Sequence, residues 1–167
     1  MTAYVDTCVA LAYYFGEDAH HERAKRVVEE LRRRGARLYA SPLTILELHS
    51  VISRKLRELK LPPHIRRLDE GARVSALAKL IIKALNVEVV DDEPRTERID
   101  GAKAFHVYQR ALELAVALKL KTLDLMHIAY ALHLAEKGLA SMFATLDGKI
   151  LKRSRALAKL GLETLTA

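Results

Sequence analysis

Short apolar runs alternate along this chain with longer stretches whose apolar residues recur every three or four positions. Ala3-Tyr4-Val5 ends on Asp6-Thr7 and reads as a strand over residues 3–6. A helix follows from about Thr7 to Phe15, broken by Gly16-Glu17-Asp18. Ala24, Val27, Val28 and Leu31 have helical spacing over residues 19–34, with Gly35 as the stop. Residues 37–40 form a second short run, and Ser41-Pro42 starts a helix that the pattern carries to about residue 60. Pro62-Pro63 ends it, and one helix is predicted over 65–85. A strand over 87–90 and a loop at Asp91-Asp92-Glu93-Pro94 precede a helix predicted from Ile99 to Leu118. Thr122 is read as the cap of a further helix that runs to Gly138. A strand over 141–146, a basic helix over about 149–159 and a last strand over 162–165 complete the chain.

Strands alternating with helices predict βαβ units and a parallel sheet covered on both faces. Right-handed crossovers then put the carboxyl end of every strand on one side. No repeat, low-complexity tract or linker divides residues 1–167, which are read as one domain.

Composition narrows the class. No apolar run approaches the ~20 residues of a membrane span, and no signal peptide opens the chain, since Asp6 interrupts its first apolar stretch. The single Cys8 excludes an internal disulfide, and a cytoplasmic protein is expected. The formal charge of +7 favours a polyanionic partner, nucleic acid first. Amides are almost absent (Asn86 and Gln109), which with abundant Glu, Lys and Arg suggests a thermophilic source.

The candidate chemistry lies in four acids. Asp6 and Asp147 follow strands and so sit at the carboxyl edge, where open α/β sheets bind ligands. Glu47 lies in the second turn of the helix after strand two, and Asp124 in a first helical turn with the apolar neighbours Leu123, Leu125, Met126 and Ile128. Each has an ordinary alternative: a strand-end Asp caps helices, Asp124 suits a helix dipole, and Glu47 can be a surface residue. Converging carboxylates repel one another, and a divalent cation removes that penalty. Mg2+ takes oxygen ligands and substrate phosphates, which suits metal-assisted phosphodiester hydrolysis.

Tyr-Val-Asp-Thr at 4–7, Leu-Thr-Ile-Leu-Glu at 43–47, Leu-Asp-Leu-Met-His-Ile-Ala-Tyr-Ala at 123–131 and Ala-Thr-Leu-Asp at 144–147 together resemble the PIN-domain nucleases. The resemblance spans essentially the whole chain. It implies a three-layer α/β/α sandwich with a five-stranded parallel sheet, and a Mg2+- or Mn2+-dependent ribonuclease. The acidic quartet carries over to Asp6, Glu47, Asp124 and Asp147, with Thr7 and Thr145 where the family often has a small hydroxyl facing the site. Small members of the family are mostly toxins of toxin–antitoxin pairs, similar to VapC, which implies RNA as substrate, an antitoxin partner and a homodimer. Two departures stand out: the segment from about 60 to 100 is longer than in the shortest members, and Cys8 stands where Ser or Asn is commoner.

Around the quartet, His127 reads as a packed or partly exposed histidine rather than a ligand, Cys8 as a small buried hydrophobe, and the acids at 91–93 as solvated. Lys149, Lys152 and Arg153, followed by Arg155, begin at the site edge and are candidates for holding the RNA backbone. A second basic set, Arg54, Lys55, Arg57, Lys60, Arg66 and Arg67, reads as a solvated face. The competing function is a non-catalytic nucleic-acid-binding or RNA-processing partner on the same fold. A phosphatase with Asp6 as covalent nucleophile is a third class; such enzymes usually carry a second Asp two residues on, where this chain has Cys8.

Overall fold

The computed structural model describes residues 1–93 and 95–166. Its elements are β1 (Thr2–Val5), α1 (Thr7–Tyr14), α2 (His21–Arg33), β2 (Arg37–Ala40), α3 (Pro42–Lys55), α4 (Pro63–Arg66), α5 (Glu70–Leu85) and β3 (Val87–Val89). They continue with β4 (Thr96–Ile99), β5 (Ala102–Phe105), α6 (His106–Leu118), α7 (Thr122–Glu136), β6 (Met142–Ala144), α8 (Gly148–Leu151), α9 (Ser154–Lys159) and β7 (Glu163–Leu165). The main sheet has five strands in the order β3-β2-β1-β6-β7, and all its pairings are parallel.

Strand periodicity divides the core into two layers. Ala3, Val5, Leu38, Met142 and Ala144 face α1, α2, α3 and α5. The alternate residues Tyr4, Tyr39 and Phe143 face α6, α7 and α9. Side chains on successive strand residues point to opposite faces, so the sheet is the middle layer of an α/β/α sandwich. Tyr4 and Phe143 stack with ring centroids 5.5 Å apart. Helix α7 is enclosed: every residue from Leu125 to Leu132 is buried. That is the burial expected of a helix that is apolar on all sides.

The sequence pattern misplaced several features, among them the end of α3, expected near residue 60 and found at Lys55. The helix expected from Ile99 begins at His106, because residues 96–105 form the antiparallel β4–β5 hairpin. Ile99 pairs with Ala102 across Asp100 and Gly101, whose φ angles are 48° and 86°. Two positive φ values make a two-residue hairpin turn that Asp-Gly favours. The helix expected over 65–85 is two helices, because the Asp69 carboxylate accepts from the Ala72 N–H at 2.9 Å and caps α5. The basic helix over 149–159 is likewise two short helices, α8 and α9. At the start of α7 the cap position belongs to Lys121, with Thr122 the first helical residue. Among the described residues no helix is long and apolar enough to cross a membrane.

Candidate active site

The chain leaves β1 at Asp6 and β6 at Thr145, on the same edge of the sheet, since Val5 pairs with Ala144 in parallel. Asp6 occupies the N-cap position of α1, but its side chain makes no capping bond. Its Oδ2 instead accepts from the Thr145 hydroxyl at 2.6 Å and from the Cys8 thiol at 3.2 Å. Asp147 does cap: its Oδ1 accepts from the Lys149 N–H at 2.6 Å, and its own N–H donates to the Thr145 hydroxyl at 3.1 Å. Thr145 therefore couples the two aspartates. Cys8 is more than the small hydrophobe expected of it, since the Leu146 N–H also donates to its Sγ at 3.4 Å. Burial, and then the Asp6 charge, push the thiol far above its ordinary range and keep it protonated. A protonated thiol can donate to the carboxylate.

Asp124, in the first turn of α7, completes an aspartate group. Its carboxyl is held above the usual range by burial first, then by the charges of Asp147 and Asp6. Its Oδ2 is buried and has no hydrogen-bond partner among the described residues. Of its apolar neighbours Leu125, Met126 and Ile128 are buried, while Leu123 is exposed. An unpartnered buried carboxylate oxygen is costly. The charges of Asp147 and Asp6 act on it, although neither Asp124 nor Asp147 falls within the 4.8 Å grouping that joins Asp6 to Glu47 and His127.

Glu47 reaches the same region from α3. One donor atom each of Asp6, Glu47 and His127 lie within 4.8 Å of one another. The Glu47 carboxyl is held below its ordinary range, chiefly by a hydrogen bond from His127 and further by one from Thr7. His127 Nε2 lies 2.8 Å from Glu47 Oε2, and its Nδ1 lies 2.7 Å from the Tyr4 hydroxyl, which is 2.8 Å from Ser41 Oγ. A carboxylate only accepts, so in the neutral ring Nε2–H donates to Glu47 and Nδ1 accepts from Tyr4. Both ring nitrogens are thereby engaged. His127 is 3 % exposed and Tyr4 fully buried, so this relay is shielded from water.

The role of His127 was the main feature sequence reasoning missed. The histidine was read as packed, and packed it is, but it also orients a candidate acid. The available signal was its position three residues after Asp124, nearly the same helical face. Thr7 and Thr145 are both buried, each against one of the candidate acids. Of the basic candidates, Lys149 and Lys152 are exposed, whereas the Arg153 Nε–H donates to the Leu118 carbonyl at 2.8 Å and ties α9 to the end of α6. Asp91 and Asp92 are exposed as expected, while Glu93 is half-buried and paired with Lys137.

The all-oxygen donor set of Asp6, Asp124, Asp147 and Glu47 fits a hard divalent cation such as Mg2+ or Mn2+. The orphaned Asp124 oxygen is the observation that supports the fit.

Comparison with solved structures finds VapC20 of Mycobacterium tuberculosis, described as a toxin that cleaves the sarcin–ricin loop. It is 19 % identical, with 90 % of this chain and 93 % of that one covered and a TM-score of 0.56. VapBC2 of Rickettsia felis, bound to a DNA fragment from its promoter, is 14 % identical, with 98 % of each chain covered and a TM-score of 0.56. At these identities the likeness is one of fold. No curated protein matches the sequence. The model of the PIN domain family matches residues 3–155, nearly the whole length, and the chain therefore belongs to the PIN-domain family.

Proposed function

We propose that this PIN-domain protein is a metal-dependent endoribonuclease acting as the toxin of a toxin–antitoxin pair. The observation that carries the reading is the unpartnered buried oxygen of Asp124, whose carboxyl feels the charges of Asp147 and Asp6, beside Asp6 and Glu47, which lie within 4.8 Å of each other. Asp6, Asp124 and Asp147 would hold the ion, with Glu47 completing the set. Mg2+ or Mn2+ bound there supplies a Lewis acid for the scissile phosphate and makes the attacking water more acidic.

The chain's own groups do the rest. Thr145 and Cys8 fix the orientation of the Asp6 carboxylate. His127, anchored by Tyr4, holds Glu47 ionised and turned toward Asp6, where it can orient the water. Lys149 and Lys152, directly after Asp147, are placed to contact RNA phosphates. Contacts of this kind give sequence-independent affinity.

The toxin reading is supported by the printed description of VapC20, and an antitoxin partner by the VapBC2 neighbour. A groove of about 610 Å3, with an apolar floor including Leu11, Phe15 and Leu59 and charged residues such as Glu17, Lys55 and Glu58 in its walls, has room for a partner segment. A homodimer is supported by a stripe on α6: Tyr108 and Leu112 are each 52 % exposed and Val116 is 82 % exposed, at four-residue spacing. We place the protein in the cytoplasm and treat its 167 residues as one functional domain.

The test is cleavage of single-stranded RNA of mixed sequence with Mg2+, Mn2+ or EDTA, beside Asp6→Asn. The expected result is metal-dependent cutting that falls to background in the variant. RNA binding without cutting under any condition would instead favour a non-catalytic nucleic-acid-binding partner.

A further inference from the structure

A second cluster of metal-ligating side chains lies away from the acids. His133 follows Asp124 by nine residues on α7, which puts it roughly 13 Å farther along the helix axis. There it meets His106, the first residue of α6, and Glu93, from the segment between β3 and β4. His106 Nε2 lies 2.9 Å from His133 Nδ1, and His133 Nε2 lies 3.4 Å from Glu93 Oε2. One donor atom from each of the three falls within 4.8 Å of the others.

Each ligand is already oriented. Glu93 Oε1 is paired with Lys137, which leaves Oε2 turned to His133. His133 packs against His106 with ring centroids 4.3 Å apart, and its side chain is only 14 % exposed. His106 also carries a buried Nδ1 with no partner among the described residues, across the ring from the Nε2 that faces His133. His106 and His133 line a small pocket that also holds Glu97 and Glu136, each paired with an arginine, Arg95 and Arg110.

We propose that Glu93, His106 and His133 form a binding site for Zn2+, separate from the catalytic acids. Two imidazoles and a carboxylate match the ligands Zn2+ takes, whereas Mg2+ prefers oxygen alone. Two nitrogens on a tetrahedral zinc lie roughly 3.3 Å apart for bonds of about 2.0–2.1 Å, close to the 2.9 Å between the two rings here. The ion ties the segment after β3, which leads into the β4–β5 hairpin, to α6 and α7. It acts as a clamp on the segment that joins β3 to the hairpin.

The test uses full-length, untagged protein freed of metal with EDTA. Zn2+ is titrated by calorimetry, and Co2+ by its visible absorption. The expected result is one equivalent bound with micromolar or tighter Kd, in the wild type and in Asp6→Asn alike. Glu93→Gln, which keeps the size of the side chain, and His133→Ala should each weaken binding by roughly 10-fold or more. Zn2+ a hundred-fold above its Kd should raise the melting temperature by about 5–10 °C. No binding by the wild type would overturn the proposal. So would binding that survives both Glu93→Gln and His133→Ala, or that is lost in Asp6→Asn.

Discussion

Asp6 and Asp147 both stand at the N-terminus of a helix, yet only Asp147 caps its helix. The Asp6 carboxylate accepts from Thr145 and Cys8 instead, and its charge acts on Asp124. Asp124 has the least comfortable position, with its pKa raised by burial and by Asp147 and Asp6. A raised carboxyl pKa means that the fold favours the protonated form. That stabilisation is complete below the unfolded value, about 3.9, and is lost as pH rises through the folded value. Without metal, Asp124→Asn should therefore melt higher than wild type at pH 7, by about 1–2 °C, since the group is only partly buried and is screened by solvent. The gap should close near pH 3–4, and Mg2+ should stabilise only the wild type. Thermal melts at the two pH values, with and without Mg2+, check this.

Tyr4 is the other residue whose chemistry exceeds its apparent place in a strand. Its hydroxyl meets His127 at 2.7 Å, Ser41 at 2.8 Å and Thr44 at 3.4 Å. Tyr4→Phe keeps the ring stack on Phe143 but leaves buried Ser41 and His127 atoms without that partner. The expected cost is about 1–3 kcal/mol of stability. With Glu47 less firmly held, kcat should fall roughly 10-fold while the KM for RNA stays nearly unchanged. Denaturant melts and steady-state cleavage separate the two effects.

At the scale of elements, legibility followed periodicity. The strands of the parallel sheet were readable as short continuous apolar runs, buried on both faces, and the amphipathic helices such as α2 by their 3.6 period. The β4–β5 hairpin was not, because Ala102, Ala104, Phe105 and Val107 run on into the helical pattern of α6. The Asp100-Gly101 pair was the local signal that should have outweighed it. Asp69, likewise, looked like one more charge in a long helix until its side chain was found capping α5. Helix α6 is apolar on two sides: Val107, Ala111, Leu114 and Leu118 face the core, while Tyr108, Leu112 and Val116 face outward. If that outer stripe is a dimer face, Leu112→Glu should shift the protein to monomer in sedimentation, with little change in its melting temperature when dilute.

For the whole molecule, the sequence by itself determined the class and the kind of chemistry. Alternating short strands and helices require a covered parallel sheet, and a formal charge of +7 favours a polyanion. The places of Asp6 and Asp147 also followed from sequence, because a residue that ends a parallel strand must lie at the carboxyl edge. Tertiary structure decided what no local pattern records: which side chains touch. Tyr4 reaches Ser41 across 37 residues and His127 across 123, while His133 reaches His106 across 27. Such contacts depend on how layers stack and helices rotate, and those are set by the packing of the whole core rather than by the period of any one segment. The acids were therefore legible as a set in the sequence, but the network that orients them, and the second cluster at the far end of α7, emerged only from the folded chain.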